Sequence, residues 1–508
     1  MNIKDSHTLK FNKIPHSDYI LLIAMSIIGG IIIVIATGPY GVGISADSVT
    51  YISVSRNFTS GFGLLDYNMD PLIVSPPMYP ILVSLLSNLL NKDPIESIPM
   101  LNAILFAATV FLSGIFLKNT FQNKAVYLLG LIPILFSASY LRVFTMAWTE
   151  PLFIVITIGY FLILQKYLDT KRLSQLVWLS IVITLACLTR YVGITLYFCT
   201  IICQIFLINQ TLRDRIKHLT IVSIIPGLTL ASWLFRNNFL TGSMTGSRMR
   251  SNYSLVDNLI SAIDTLFSWF LPERLTESRY IYPFLVIFFL GNLFLIIKNR
   301  KLLQVFFGSL YKPIVVFIII YLGFLLLTSQ TSFWQLIDNR YLTPIYLPVI
   351  AIFLTYVLVL FSFFVIGKDK PIRSIPFFLV IIWLFFNIYT SLGVTKTHFI
   401  EGSGYSSKIW RSGQMSNFIS TQLSDYELYS NGKEVIYLIN GTQSKSLPIR
   451  PNINEIKDAI SNQKVCFLWF NNIDWRKYYY HPNEIAEYFR LENKVQLDDG
   501  TIYCTTKN

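Results

Sequence analysis

The chain has 508 residues, 53% of them hydrophobic and 14% charged, with a formal net charge of +13 and a mean hydropathy of +0.53. So little polar surface cannot coat a soluble globule of this size, and the apolar runs approach the ~20 residues a spanning helix needs, well beyond barrel strands. The basic residues are scattered among short loops rather than gathered into a tract or stripe, which sets nucleic acid aside as a partner.

In chain order, residues 1–18 form a polar tail with Lys4, Lys10 and Lys13, predicted to be cytoplasmic. The run Tyr19 to Thr37 is too long for a signal-peptide core and lacks a convincing cleavage site, so it is read as a retained first helix. A first outer loop, 38–97, then carries "GISADSVTY" with Asp47, the acidic residues Asp66 and Asp70, and "SPPMYP" from Ser75 to Pro80. From Asp47 to Phe58, the spacing of Tyr51, Val54 and Phe58 predicts an amphipathic helix lying in the membrane interface, with Asp47 near its N-terminus. Pro76 and Pro77 fix extended backbone after it. Ile81 to Leu90 is apolar but too short to cross, and is placed in the interface.

Spans are expected near 19–37, 98–117, 125–144, 150–168, 174–189, 191–208, 218–235, 280–297, 313–328, 342–366 and 372–392, about eleven in all. With this assignment one side of the membrane collects eighteen Lys and Arg, mostly lysine, against ten on the other side before the C-terminal tail. By the positive-inside rule the N-terminus is in and the C-terminus out. The outer, membrane-proximal set is arginine except for Lys92. Arginine grips phosphate with two parallel hydrogen bonds where lysine is a point charge, so an anionic ligand is one reading; snorkelling to head groups is the other.

Residues 19–394 therefore read as a transmembrane domain, followed by a polar region, 395–508. Strand-like runs there at "EVIYLI" (Glu434 to Ile439), "VCFLWF" (Val465 to Phe470) and "TIYCTT" (Thr501 to Thr506) alternate with helical patterns at Pro451 to Ile460 and Asn483 to Leu491. This predicts a small extracytoplasmic α/β domain. Cys187, Cys199 and Cys203 lie in apolar runs and are read as small buried hydrophobes, whereas Cys466 and Cys504, in the outer region, have a disulfide open to them.

Four outward loops hold the residues suited to chemistry. Besides Asp47, Glu150 stands in "AWTEP" before Pro151 opens a helix; Arg236 to Arg250 lie in a third loop, and "DNRYLTP", Asp338 to Pro344, in a fourth. Arg190, in "LTRYVG", either snorkels or faces the cavity. Asp47 and Glu150 each have a plainer reading, as carboxylates stabilising a helix start. Their pairing at the bilayer surface favours sugar transfer, which needs a base for the acceptor's proton and cations for the departing phosphate.

"ADSVTYISVSRNFTSGFG", "SPPMYPILVSLL", "AWTEPLF", "LTRYVGITL", "WLFRNNFLTGSMTGSR" and "NRYLTPIYLP", in that order from about Ile44 to Pro348, resemble the GT-C superfamily of integral-membrane glycosyltransferases. The similarity is to the bacterial branch related to the protein O-mannosyltransferases and the aminoarabinose transferase of lipid A. The resemblance implies a polyprenyl-phosphate-linked sugar donor, transfer with inversion on the extracytoplasmic face of a bacterial cytoplasmic membrane, and a lipid, glycan or protein acceptor. It implies catalytic roles for Asp47 and Glu150, and donor-phosphate contacts from Arg56, Arg248, Arg340 and Tyr341. Tyr51, Asp70, Arg190 and Arg236 are the further cavity candidates. Ser48 stands where the family frequently has a second acid after Asp47, so a divalent metal on Asp47 and Glu150 is left open and no other cofactor is read from the chain. The rival class is a transporter or flippase of a lipid-linked or small anionic substrate, for which ionisable groups or broken helices near mid-membrane are expected; these spans offer almost none.

Overall fold

The computed structural model describes residues 15–121, 123–246, 251, 253–272, 291, 311–331, 336–366, 375–423, 426–462, 464–489, 491 and 493–505. In chain order its first helices are α1 (His16–Thr37), α2 (Ala46–Thr59), α3 (Met78–Leu90), α4 (Pro94–Phe121), α5 (Lys124–Leu135), α6 (Ala138–Phe144), α7 (Glu150–Thr170), α8 (Leu173–Thr189), α9 (Ile194–Leu207) and α10 (Leu212–Thr241). Then come α11 (Leu255–Ser268), α12 (Tyr311–Thr331), α13 (Asn339–Leu342), α14 (Tyr346–Ile366), α15 (Ile375–Glu401), α16 (Lys408–Arg411), α17 (Gln414–Gln422), α18 (Lys433–Asn440), α19 (Lys457–Asn462) and α20 (Pro482–Phe489). The strands are β1 (Glu427–Ser430), β2 (Lys445–Ser446), β3 (Val465–Phe470), β4 (Asn493–Leu497) and β5 (Gly500–Cys504).

Among the described residues, 7 helices are long and apolar enough to cross a membrane, or 8 if the bent pair α5 and α6 is one span. The chain is a multi-pass membrane protein. Each expected span has a helical counterpart except 280–297, of which only residue 291 is among the described residues; α8 and α9 are shorter apolar helices. The span expected near 125–144 is a bent pair: α5, with Pro133 inside it, stops at Leu135, and α6 restarts at an angle of 48°. Ser137 makes the restart possible, since its hydroxyl accepts from the Tyr140 N–H at 3.1 Å and so satisfies an orphan donor of the new helix.

The chain forms two compact units. A membrane unit comprises Met1–Ala36, Ile73–Tyr79 and Pro99–Thr397; a sheet unit comprises Thr37–Leu72, Pro80–Ile98 and His398–Asn508.

In the membrane unit α7, α8 and α10 pack successively and α9 packs on α12. Two of its buried hydroxyls bond to backbone carbonyls, as a lipid environment favours: that of Tyr346 donates to the Pro133 carbonyl at 2.9 Å, and that of Tyr160 to the Leu196 carbonyl at 3.0 Å. Between α8 and α9 the chain turns tightly at Gly193, where a Cβ would come within 2.4 Å of the Ala186 carbonyl carbon. Only glycine fits that approach.

The sheet unit is built on a five-stranded sheet of order β2-β1-β3-β5-β4. β1 pairs in parallel with β2 and β3, while β5 runs antiparallel to β3 and β4. Alternation along β3 sends Cys466, Leu468 and Phe470 into one core with Met415, Ile419 and Ile436, and Val465 and Phe467 into a second core with Ile456 and Ile485. Helices therefore cover both faces, the arrangement a buried parallel sheet requires. The "VCFLWF" and "TIYCTT" strands and both helical segments are present, but "EVIYLI" is a correction: it forms α18, not a strand. Turn chemistry decides it, because Gly432 precedes the run and Gly441, at φ +75°, ends it as a left-handed cap. A second correction concerns α2. Its start is secured by a capping box between Ser45 and Ser48, but Tyr51 and Val54 are buried in protein rather than laid in the interface.

Cys466 and Cys504 face each other across β3 and β5 and form a disulfide that closes a 38-residue separation. Replacing both by serine is expected to destabilise the sheet unit by about 2–4 kcal/mol, read as a lower melting temperature of the purified protein that reductant also produces in the native chain.

Candidate functional site

In the membrane unit two of the residues singled out from sequence, Arg190 and Arg340, meet at Glu150. Thr149 and Pro151 flank it at the start of α7, where proline's fixed φ suits the first helical turn. Its carboxylate is 0% exposed, and Oε1 accepts from Arg340 Nε at 2.6 Å and lies 2.5 Å from Arg190 Nη1. Arg190 also donates to Thr149 Oγ1 at 2.8 Å. Two guanidiniums thus share one carboxylate, and each side chain keeps 15% of its surface accessible.

The arginines are held from several elements. Arg190 follows α8 in extended backbone, its N–H bonded to the Ala186 carbonyl. Arg340 sits in α13, which Asp338 caps by accepting from the Arg340 N–H at 2.9 Å. From α11, Ser261 donates to the Ile337 carbonyl at 2.9 Å, and Trp269 Nε1 donates to Asn339 Oδ1 at 2.9 Å. The Arg340 guanidinium lies 4.4 Å from the Trp148 ring centre and 5.7 Å from that of Tyr341, and the Tyr341 carbonyl accepts from the Tyr321 hydroxyl at 2.8 Å. A planar cation stacked on indole and hydrogen-bonded to a buried carboxylate cannot rotate freely, which is the preorganisation that binding a second anion exploits.

Arg236, on α10, stacks on Trp233 at 4.6 Å and donates to Asn237 Oδ1 at 3.0 Å. The neighbouring Tyr191 hydroxyl accepts from Trp233 Nε1 at 3.1 Å and donates to the Ile73 carbonyl at 2.8 Å, so the segment leading into "SPPMYP" is tied to the turn that carries Arg190. Arg248 lies outside the described residues.

The sheet unit holds the others. Asp47 is exposed in the first turn of α2, while Tyr51 is 7% exposed. Asp70 belongs to a turn in which Asp66 Oδ1 accepts from the N–H groups of Asn68 and Asp70, at 2.8 and 3.1 Å. Arg56 Nε and Nη2 grip Asp93 at 2.8 and 3.1 Å, and its Nη1 reaches the Tyr437 hydroxyl at 3.4 Å. Sequence reasoning missed Trp148, although it stands two residues before Glu150, and the buried pair of Glu434 with Arg476, whose Nη2 approaches Oε1 at 2.7 Å. Among the described residues no group of three or more His, Cys, Asp or Glu is placed to hold a metal ion.

A family model described as dolichyl-phosphate-mannose-protein mannosyltransferase matches residues 74–233. No curated protein sequence matches the chain. Among solved structures, ArnT from Cupriavidus metallidurans in the apo state aligns with 96% of this chain and 99% of its own, at 10% identity and a TM-score of 0.62. The same protein bound to undecaprenyl phosphate aligns over 96% and 98%, at 10% identity and a TM-score of 0.59. The archaeal oligosaccharyltransferase AglB from Archaeoglobus fulgidus, in complex with an inhibitory peptide and a dolichol-phosphate, aligns over 89% of this chain and 69% of its own, at 11% identity and a TM-score of 0.52. The chain thus has the fold of ArnT, in keeping with the fold that the sequence resemblance implied.

Proposed function

We propose that this chain is an inverting glycosyltransferase that moves a sugar from a polyprenyl-phosphate donor to an acceptor hydroxyl. It works on the extracytoplasmic side of a bacterial cytoplasmic membrane, with its N-terminus in the cytoplasm and its sheet unit outside. The observation that carries the reading is the Glu150 carboxylate holding Arg190 and Arg340, at 2.5 and 2.6 Å, at the start of a membrane span. The proteins of like fold are described as bound to undecaprenyl phosphate or a dolichol-phosphate, and a pair of fixed guanidiniums suits that chemistry.

In this mechanism the bond from the anomeric carbon to the phosphate oxygen breaks as a bond to the acceptor oxygen forms, and polyprenyl phosphate leaves with the electron pair. Arg190 and Arg340 stabilise the charge growing on that leaving group; being already oriented, they need little reorganisation at the moment of transfer. Asp47 takes the acceptor's proton. Glu150, fully buried and doubly ion-paired, is given the role of positioning the two arginines rather than that of a base.

The test is reconstitution of the full chain in liposomes with radiolabelled polyprenyl-phosphate hexoses and pentoses and an envelope extract as acceptor source. Donor consumption with release of polyprenyl phosphate and label on an acceptor is expected. Label crossing the bilayer with the donor intact would replace this reading by the transporter one.

A further inference from the structure

The connections of the sheet unit contain a reversal. From β1 the chain passes through α18 to β2 on one side, and from β2 through α19 it returns past β1 to β3 on the other. In open α/β sheets, the crevice beyond the carboxyl ends of the strands at such a reversal is where ligands bind. Here those ends are locked together. Asn431, after β1, donates from Nδ2 to the carbonyls of Phe470 and Ile473 at 3.0 and 3.3 Å, and its Oδ1 accepts from the Phe470 N–H at 2.8 Å.

A polar floor lies beside them. Glu434 is 2% exposed; its Oε1 accepts from Arg476 Nη2 and from the Tyr405 hydroxyl, at 2.7 and 2.9 Å. Arg476 is 8% exposed, and its Nε, buried, has no hydrogen-bond partner among the described residues. Burial pushes the Tyr405 phenol well above its ordinary value, with the charge of Glu434 and then that of Asp47 adding to it, so Tyr405 stays a neutral donor within the field of Asp47. An aromatic wall completes the place. Tyr437 of α18, half-buried, packs on Tyr67 with ring centres 5.3 Å apart and planes at 31°, and Lys433 Nζ lies 5.9 Å from the Tyr67 ring centre. Arg56, which lies 5.8 Å from the Tyr437 ring centre and is paired with Asp93, Lys433 and Arg476 stand against Asp47, Asp66, Asp93 and Glu434, so the place carries no net positive charge to attract a phosphate. Aromatic rings beside neutral and paired hydrogen-bonding groups match the apolar faces and hydroxyls of a sugar.

We propose that the ends of β1 and β3, with Tyr437 on Tyr67, bind a neutral saccharide, the acceptor whose hydroxyl is presented to Asp47. The assignment rests on the glycosyltransferase reading and names its acceptor class.

The test uses the full-length protein in nanodiscs and, as probes, the methyl glycosides of neutral hexoses, followed by saturation-transfer NMR. The native protein should transfer saturation to the ring protons of at least one probe. Tyr437→Ala should weaken its binding about tenfold and Tyr437→Phe much less. If Tyr437→Ala does not fold, as judged by melting temperature, Lys433→Ala carries the test and should weaken the same probe. No transfer in the native protein, equal transfer in folded Tyr437→Ala and in Lys433→Ala, or preferential binding of hexose 6-phosphates lost on Lys433→Ala would each overturn the proposal. Donor consumption by the native protein is read separately, so failure of the glycosyltransferase reading is not confused with failure of this one.

Discussion

Replacing Glu150 by glutamine is expected to lower the rate of sugar transfer at least ~100-fold, the scale on which loss of one preorganised donor to a developing oxyanion is felt. Glutamine keeps the shape and one acceptor oxygen but removes the charge that lets two guanidiniums lie within 2.6 Å of the same atom. Breaking a buried ion pair from one side costs about 3–5 kcal/mol, and here the arginines would lower that cost by swinging apart, losing the geometry a phosphate needs. Arg340→Lys should act through the same defect from the other side, because an ammonium cannot both stack on Trp148 and bond Glu150 through a planar fork. The measurement is initial-rate kinetics in liposomes at varied donor, with melting temperature as the check on folding. A positioning role predicts that KM for the donor rises as kcat falls. A fold-only role predicts a lower melting temperature with unchanged kinetics of the folded fraction, and that result would remove Glu150 from the mechanism.

Asp47→Asn should abolish most transfer, by about 10²–10⁴-fold, and leave the melting temperature in place. The substitution separates two readings of this residue that look alike in the sequence. Asp47 stands in the first turn after the Ser45 cap, where losing its charge costs the helix only about 0.3–1 kcal/mol, and the start of α2 is already secured by Ser45 and Ser48. A residue that only favours the helix would therefore tolerate the change. A base would not, because an amide cannot take a proton from a hydroxyl at neutral pH. Full activity of the asparagine variant would refute the assignment.

The spans were legible because a bilayer leaves the chain few choices: an apolar run of the right length has to be a helix. Where water returns, the same residues carry less information. "EVIYLI" has the β-branched content of a strand, and the glycines at 432 and 441 that bound it into a short helix count for more than its composition. Tyr51 and Val54 show a helical stripe, but periodicity says only that one face is apolar and not whether lipid or protein covers it. The candidate site was legible residue by residue and illegible as a set. Glu150 and Arg340 stand 190 positions apart, and nothing along the chain pairs them, just as nothing pairs Arg56 with Asp93, 37 positions away.

The sheet unit is assembled from three stretches, with residues 99–397 intervening between the second and the last. On the ribosome its first two pieces are finished while the remaining spans are still being translated, and they must wait for the final strand-forming segment before they have anything to close upon. Translation that stops early would therefore leave the hydrophobic side of α2 without its cover, a state that quality-control proteases can recognise. Complete synthesis thus becomes a condition for maturation of even the earliest non-spanning segment.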